Sequence, residues 1–572
     1  MSLAARPDPP EVAAPHYPDQ PNPDLLERIP LTAGLVLDCG CATGALGLAY
    51  KRRNPRARYL GVEAEAAAAL VAAERLDEVA HADLDSAALP FDLDREIDCL
   101  VHGDVLEHLR DPWSVLKSQT EALAPEGLAL LSVPNVAHWS VIAGLLAGSF
   151  DYTETGLMDR THLRWFTFDS MRRMIEAAGL LPLDVHPRIF GAEQAQPFLA
   201  AIAPAIASLG LDREEFARRA LPLQYVWRAQ KRRSPMIAIS ASMLPPVAGV
   251  SDTRVIEPMR ALASVPGVLA RIAPPEPLAG AEEAPRIAVL HRPVLAGPAS
   301  LAQIRSLRAD GYLIVTEFDD HPDYFPALRG DDVLTFAGVH AVQTTTEPLA
   351  DVLRPRNPEV AIFPNGIREL PAPVNFADPT RLSLFFGALN READWAPFLP
   401  VLNQTLQELG SRLFVSVVHD RAFFEAIDTP HKRFTPTCTY EIYMALMGQC
   451  EIAFMPLDDT PFNRCKSDLK LIEAGAARLA ALASPTVYGP AVREGETGLI
   501  LREPEDLRTA LRRLLAYPEA ARAIAERARA WVRDKRMLAY QVEDRLAWYR
   551  SLWQRRAELD AALLTRVPAL AG

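Results

Sequence analysis

Two glycines and an acid close an apolar run near the amino terminus, Leu35-Val36-Leu37-Asp38-Cys39-Gly40-Cys41-Ala42-Thr43-Gly44. Gly40 and Gly44 let backbone approach a ligand closely, where a Cβ would stand in the way. Asp38 adds a negative charge at the carboxyl end of a buried strand, the place where open α/β sheets bind ligands. The dinucleotide pattern G-x-G-x-x-G, counted from Gly40, needs glycines where Ala42 and Ala45 stand. A carboxylate there would also repel a pyrophosphate. S-adenosylmethionine has no phosphate and offers an ammonium and a sulfonium, so an acid-rimmed turn suits it. A second acid, Glu63, ends Tyr59-Leu60-Gly61-Val62-Glu63, where a carboxylate can take both hydroxyls of a ribose. Asp83 follows a third short strand and could accept from an adenine amino group. Without a ligand, the same residues read as a core strand with a tight turn and two surface acids.

These residues need a βαβ frame. A helix of suitable length separates the first two strands. Ile97 to His102 reads as a fourth strand, and Leu128 to Val133 as a fifth, stopped by Pro134-Asn135. At 572 residues, the chain is too long for one core, and three or four Rossmann-sized units are expected. A net charge of -13 argues against a general nucleic-acid binder, which needs clustered Lys and Arg. The six cysteines show no disulfide or zinc spacing, and a reducing cytoplasm suits them. The proline-rich start reads as a mobile tail without a signal pattern. No run is long and apolar enough to span a bilayer. Val136 to Phe150 comes closest and reads as a buried or lid helix.

The first half resembles the class I S-adenosylmethionine-dependent methyltransferases, closest to the ubiquinone-biosynthesis-like O-methyltransferases. The blocks that carry the resemblance are Asp38 to Gly44, Glu63, Asp83, Asp104-Val105-Leu106-Glu107-His108-Leu109, Ser132 to Asn135 and Asp159 to Thr167. Ala42 departs from the glycine of many members. The resemblance implies Asp38, Gly40 and Gly44 around the methionine part, Glu63 on the ribose, Asp83 near the adenine and Asp104 beside the cofactor; no metal is assigned. Methyl transfer to oxygen needs an aligned acceptor, and a base where the hydroxyl is not acidic. His108, His138 and His162 are the candidates, each of which could equally be a structural histidine. His162 is preferred because Arg160 and Arg164 flank it and could grip an anionic acceptor.

From Pro235 onward, strands and helices alternate again, as in a pair of doubly wound domains with a cleft between them. This half resembles the GT-B-fold glycosyltransferases, in particular the retaining family 4 group. It does so through Pro364-Asn365-Gly366-Ile367, Phe386 to Arg391, Lys466 to Ala474 and Gly495 to Ile500. A sugar nucleotide leaves as a diphosphate, and Arg391, Lys466 and the helix after Ser467 could stabilise that charge without a metal. Glu473 could accept the ribose hydroxyls. The family often has two acids eight residues apart, yet Cys465 stands in the earlier place. Asp319-Asp320-His321 reads as an acceptor-side loop. A charge pattern on one helix face is the plainer reading of Lys466, Lys470 and Glu473.

The expected architecture is therefore α/β: a Rossmann-like methyltransferase domain followed by a two-Rossmann-domain GT-B glycosyltransferase. The expected bounds are 1–24 for the tail, 25–232, 233–372 and 373–537 for the three domains, and 538–572 for a carboxyl helix crossing back. The expected protein is a cytoplasmic bifunctional transferase using S-adenosylmethionine and a nucleotide-diphosphate sugar. A glycan, lipid-linked glycan or small molecule is the acceptor, in polysaccharide or O-antigen-type biosynthesis. Nucleic acid is not a partner, no segment is transmembrane, and peripheral membrane association is left open. The alternative is a methyltransferase carrying a degenerate, non-catalytic glycan-binding module.

Overall fold

Continuous apolar runs such as Ile452–Met455 become fully buried strands, as parallel sheets covered on both faces require. The computed structural model describes residues 19–571 except 87–88, 94, 244–248, 277–282 and 379. The expected tail lies outside the described residues up to 18. Its last residues are ordered instead: Asn22 caps a short helix, Pro23–Leu26, with proline in the first turn. The chain divides into two compact units. One holds residues up to Lys51, Arg56–Pro235 and Ser264–Gly267, and the other holds the rest.

The first unit is built on β1 (Leu35–Cys39), β2 (Arg58–Glu63), β3 (Glu78–His81), β4 (Ile97–Gly103), β5 (Leu123–Pro134), β6 (Leu181–Arg188) and β7 (Gln224–Gln230). The strand order is β3-β2-β1-β4-β5-β7-β6, with β7 antiparallel to both neighbours. The order reverses between β1 and β4, which opens a crevice at their carboxyl ends. The segment expected as a buried or lid helix is shorter than that and is not buried. Trp139–Leu146 is helical with Val141 buried, while Leu145 and Leu146 are 53% and 69% exposed.

The second unit holds two parallel sheets. One contains β8 (Ile237–Ser242), β9 (Val268–Ile272), β10 (Arg286–His291), β11 (Leu313–Glu317), β12 (Ala341–Thr344) and β13 (Val360–Ile362), in the order β13-β12-β11-β10-β8-β9. The other contains β14 (Leu382–Gly387), β15 (Leu413–Val418), β16 (Lys432–Thr435), β17 (Ile452–Met455), β18 (Ala480–Ala483) and β19 (Gly498–Ile500), in the order β16-β15-β14-β17-β18-β19. Each has its own switch point, between β8 and β10 and between β14 and β17. The expected α/β class, one Rossmann-like sheet followed by two parallel ones, is what the chain forms.

A buried ion pair anchors the second unit. Arg254 lies in a widened π-helical turn, Asp252–Ile256. Its Nε and Nη2 meet the two oxygens of Glu317, at the end of β11, at 2.9 and 3.0 Å. Arg254 also donates to the carbonyls of Phe363 and Thr344 and to Asn365 Oδ1. Gln343 donates to Glu317 at 2.7 Å and accepts from Tyr549 Oη at 2.7 Å. Tyr549 belongs to the helix Val542–Gln554, and the next helix, Arg556–Arg566, adds Leu563 to the core of the β8–β13 sheet.

Removing one partner of this pair strands a charge away from water. Arg254→Met is expected to destabilise the second unit by about 3–5 kcal/mol in urea unfolding. Arg254→Met combined with Glu317→Leu is expected to recover part of that loss, because neither charge is then orphaned.

Candidate functional site

In the first unit the acids gather at the β1/β4 crevice. Gly40, Ala42 and Gly44 all have positive φ, at 78°, 48° and 75°. A Cβ on Gly40 would stand 2.3 Å from Val105 Cγ2, so only glycine fits there. Glu63 holds the turn: its Oε2 accepts from Ala42 N at 2.9 Å and its Oε1 from Glu65 N at 2.8 Å. Ala42, the departure from glycine, keeps the left-handed conformation under that clamp. Asp38 is buried and accepts from Tyr59 Oη at 2.9 Å. Burial pushes its pKa up to about 7; the Tyr59 hydroxyl works against the rise and the Glu63 charge adds to it.

Asp104 sits just after β4 at a φ of 56°, and accepts from Ser132 Oγ at 2.8 Å and Gln224 Nε2 at 3.1 Å. Asp83 is exposed beyond β3, two residues past His81, the register partner of Glu63. Asp38, Glu63, Asp83 and Asp104 thus share one edge of the sheet.

The histidines arrange themselves differently from the sequence expectation. The amides of Leu163 and Arg164 donate to the Glu107 carbonyl at 2.8 and 2.9 Å, which pins this segment to the turn Leu106–His108. The rings of His108 and His162 meet edge to face, with centroids 4.8 Å apart. Each places Nδ1 on a backbone carbonyl, Thr161 at 3.2 Å and Leu157 at 3.1 Å. That geometry puts the proton on Nδ1 and leaves Nε2 as a lone pair. Burial lowers the His108 pKa, and the neighbouring His162 adds to the effect. Glu107, His108 and His162 each bring a ligand atom within 4.8 Å of the others. Glu107 Oε2 is buried without a partner among the described residues, and burial pushes this carboxyl well above the usual range. The cluster can take a proton or hold a divalent cation. Arg160 and Arg164, expected to grip an acceptor, are engaged elsewhere: Arg160 pairs with Glu154, and Arg164 donates to the carbonyls of Leu163 and Arg110. His138 caps its own helix.

In the second unit, both switch points open on one pocket of about 300 Å³. Arg391 and the distant segment that carries Lys466 and Glu473 all line it, as do Asp319 and Asp320. Arg391 is held by Asp394 and Asn463, each at 3.1 Å. Asn365 Nδ2 donates to Ser467 Oγ at 2.8 Å, which ties the buried Arg254 network to the start of the helix Leu469–Ala476. Burial pushes the Glu473 carboxyl up to about 7, against the pull of Lys470 and a hydrogen bond from Tyr440. Burial also lowers the pKa of Lys470, whose Nζ caps the Gly387 carbonyl. Sequence reasoning passed over Tyr59, Glu107 and Tyr440. For Glu107, the Glu-His adjacency inside the matching block was the available signal.

Residues 16–184 match a family of methyltransferase domains, so the first unit carries a methyltransferase domain. The chain is 27% identical over 159 residues to the ubiquinone biosynthesis O-methyltransferase of Idiomarina loihiensis, a match covering 27% of this chain and 65% of that protein. It is 28% identical over 177 residues to the corresponding enzyme of Dinoroseobacter shibae, covering 29% and 68%. The chain therefore spans about two thirds of the length of these curated relatives. Among solved structures it is similar to a SAM-dependent methyltransferase of Archaeoglobus fulgidus (17% identity, TM-score 0.25, covering 36% of this chain and 88% of that one). It is also similar to Anabaena HepE in complex with UDP and glucose (11% identity, TM-score 0.40, covering 55% and 99%).

The Glu63 clamp can be checked without any ligand. Glu63→Gln sets an amide N–H₂ against one of two backbone donors. It is expected to destabilise the first unit by about 1–3 kcal/mol and to speed amide exchange at Ala42.

Proposed function

We propose that this chain is a bifunctional transferase, an S-adenosylmethionine-dependent O-methyltransferase joined to a nucleotide-sugar-dependent glycosyltransferase of the GT-B kind. The observation that carries the first half is the methyltransferase-domain match laid over the Asp38–Glu63 edge. In this reading Asp38 faces the cofactor's ammonium. The turn at Gly40 and Gly44 admits its methionine part, Glu63 takes the ribose hydroxyls, Asp83 the adenine amino group, and Asp104 borders the cofactor. The methyl group passes from sulfur to the acceptor oxygen in line, and the oxygen's proton passes to an imidazole Nε2 of His162 or His108. S-adenosylhomocysteine is the other product.

The second half rests on two switch points converging on a pocket that holds Arg391, Lys466 and Glu473. Arg391 and Lys466 neutralise the leaving diphosphate, and Glu473 takes the donor's ribose. A glycan, lipid-linked glycan or small hydroxylated molecule is the acceptor class, in building a surface polysaccharide. All six cysteines are free, which suits a cytoplasmic setting, and among the described residues no helix is long and apolar enough to cross a membrane. The second reading, a glycan-binding module without transfer, is favoured by Cys465 standing where the family's earlier acid stands. Incubation with labelled S-adenosylmethionine and a panel of sugar nucleotides separates them: sugar-nucleotide turnover supports transfer, and its absence beside intact methyl transfer supports the module.

The raised Asp38 pKa fixes a sign. The cofactor is a cation and selects the ionised carboxylate, so its affinity is expected to rise about tenfold from about pH 6 to about pH 8. Asp38→Asn is expected to weaken binding and flatten that profile in calorimetric titration. The folded unit holds this proton more tightly than the unfolded chain does. The carboxyl's contribution to stability therefore falls as pH rises from the ordinary value of 3.8 towards about 7.

A further inference from the structure

The polar groups expected to meet a sugar nucleotide already have partners inside the protein. Arg391 is engaged by Asp394 and Asn463, and Glu473 by Tyr440, all within the part of the chain built on β14–β19. Lys466 is the exception. Its Nζ lies 3.0 Å from Asp320 Oδ1, and Asp320 follows β11 in the other sheet of the unit. The pair spans the cleft. Both side chains are largely shielded from water, at 19% and 15% exposure, and both line the pocket. Burial lowers the Lys466 pKa, and Asp320 is the nearest group opposing it. The ammonium also lies 4.2 Å from the Phe462 ring centroid. Asp320 has a second cation within reach: Arg292 Nη2 stands 3.5 Å from Oδ2, its Nε engaged by Asp319 at 2.6 Å.

We propose that Asp320 stands in for the donor's phosphate. A nucleoside diphosphate gains Lys466 only by displacing this carboxylate, which then relies on Arg292. Like charge drives the exchange. A diphosphate placed on Lys466 sits within a few ångströms of Asp320, in a shielded pocket where charges are poorly screened. The ammonium has donors for both, but two anions held that close repel each other, whereas Arg292 already offers the carboxylate an alternative. Because Asp320 and Lys466 lie on different sheets, the exchange breaks a link across the cleft whenever donor binds. The inference rests on the nucleotide-sugar reading of the pocket, and it makes the empty cleft self-paired rather than open.

The test is calorimetric titration of the full chain with UDP, GDP and ADP, alongside Asp320→Asn, Asp320→Ser, Lys466→Met and the Asp320→Asn/Lys466→Met double variant. If the paired state holds Lys466 nine times in ten, apparent affinity is reduced about tenfold. Asp320→Asn and Asp320→Ser are then expected to bind the preferred diphosphate about tenfold more tightly than the native chain. In the Lys466→Met background, Asp320→Asn should bring a clearly smaller gain, from relieved repulsion alone, because no ammonium is freed. A carboxylate with only a structural role would weaken binding when replaced. Unchanged or weaker binding in both Asp320 variants, with the native chain binding a diphosphate, overturns the exchange and leaves the nucleotide reading standing. No binding of any diphosphate by the native chain or either Asp320 variant overturns both.

Discussion

One guanidinium and one carboxylate, both shut away from water, set the geometry of the second unit. Arg254 and Glu317 meet through two parallel hydrogen bonds, and the remaining donors of Arg254 reach the ends of β12 and β13 and the side chain of Asn365. A buried pair of this kind adds little net stability against an apolar substitute. Its value is directional, since five polar contacts from one side chain are satisfied in one arrangement. Asn365 passes that arrangement to Ser467, and so to the helix carrying Lys470 and Glu473. These pocket residues are positioned from behind.

All three sheets apply the same rule at different charges. Parallel strands end on one edge, and where their order reverses a crevice opens. In the first unit that edge is acidic, with Asp38 and Glu63 buried, which suits a cation. In the second unit the edges facing the pocket carry Arg391 and Lys466 beside buried acids, which suits an anion that can be exchanged for an internal one. Burial raises the carboxyls of Asp38 and Glu473 alike to about 7, yet their surroundings differ: a phenol and a second acid beside one, a lysine and a phenol beside the other.

Much of this was legible from residues alone because it rests on short-range patterns. An apolar run ending in an acid, followed by glycines, marks both a strand end and a turn. The sheets follow from strands alternating with helices. Contacts made through the backbone were not legible. His162 meets His108 because two amides of its segment reach the Glu107 carbonyl, and a carbonyl leaves no mark on sequence. Arg160 and Arg164 looked like an anion grip by proximity, but one pairs with Glu154 and the other caps carbonyls. The apolar stretch 136–150 read as a buried or lid helix, and its composition could not show that Leu145 and Leu146 face solvent. Arg254 reads in sequence as one basic residue on a helix.

The wide turn at Asp252–Ile256 carries a consequence for how this chain can vary. A π-helical turn accommodates a residue beyond the ordinary pitch. Deleting that residue would let the helix close to regular winding and rotate its amino-terminal part by about 100° relative to its carboxyl-terminal part. Arg254 would then leave Glu317 buried without its guanidinium, holding only the hydrogen bond from Gln343. Chain length is constrained here as tightly as chain chemistry: one peptide unit fewer would displace Arg254 as surely as replacing it.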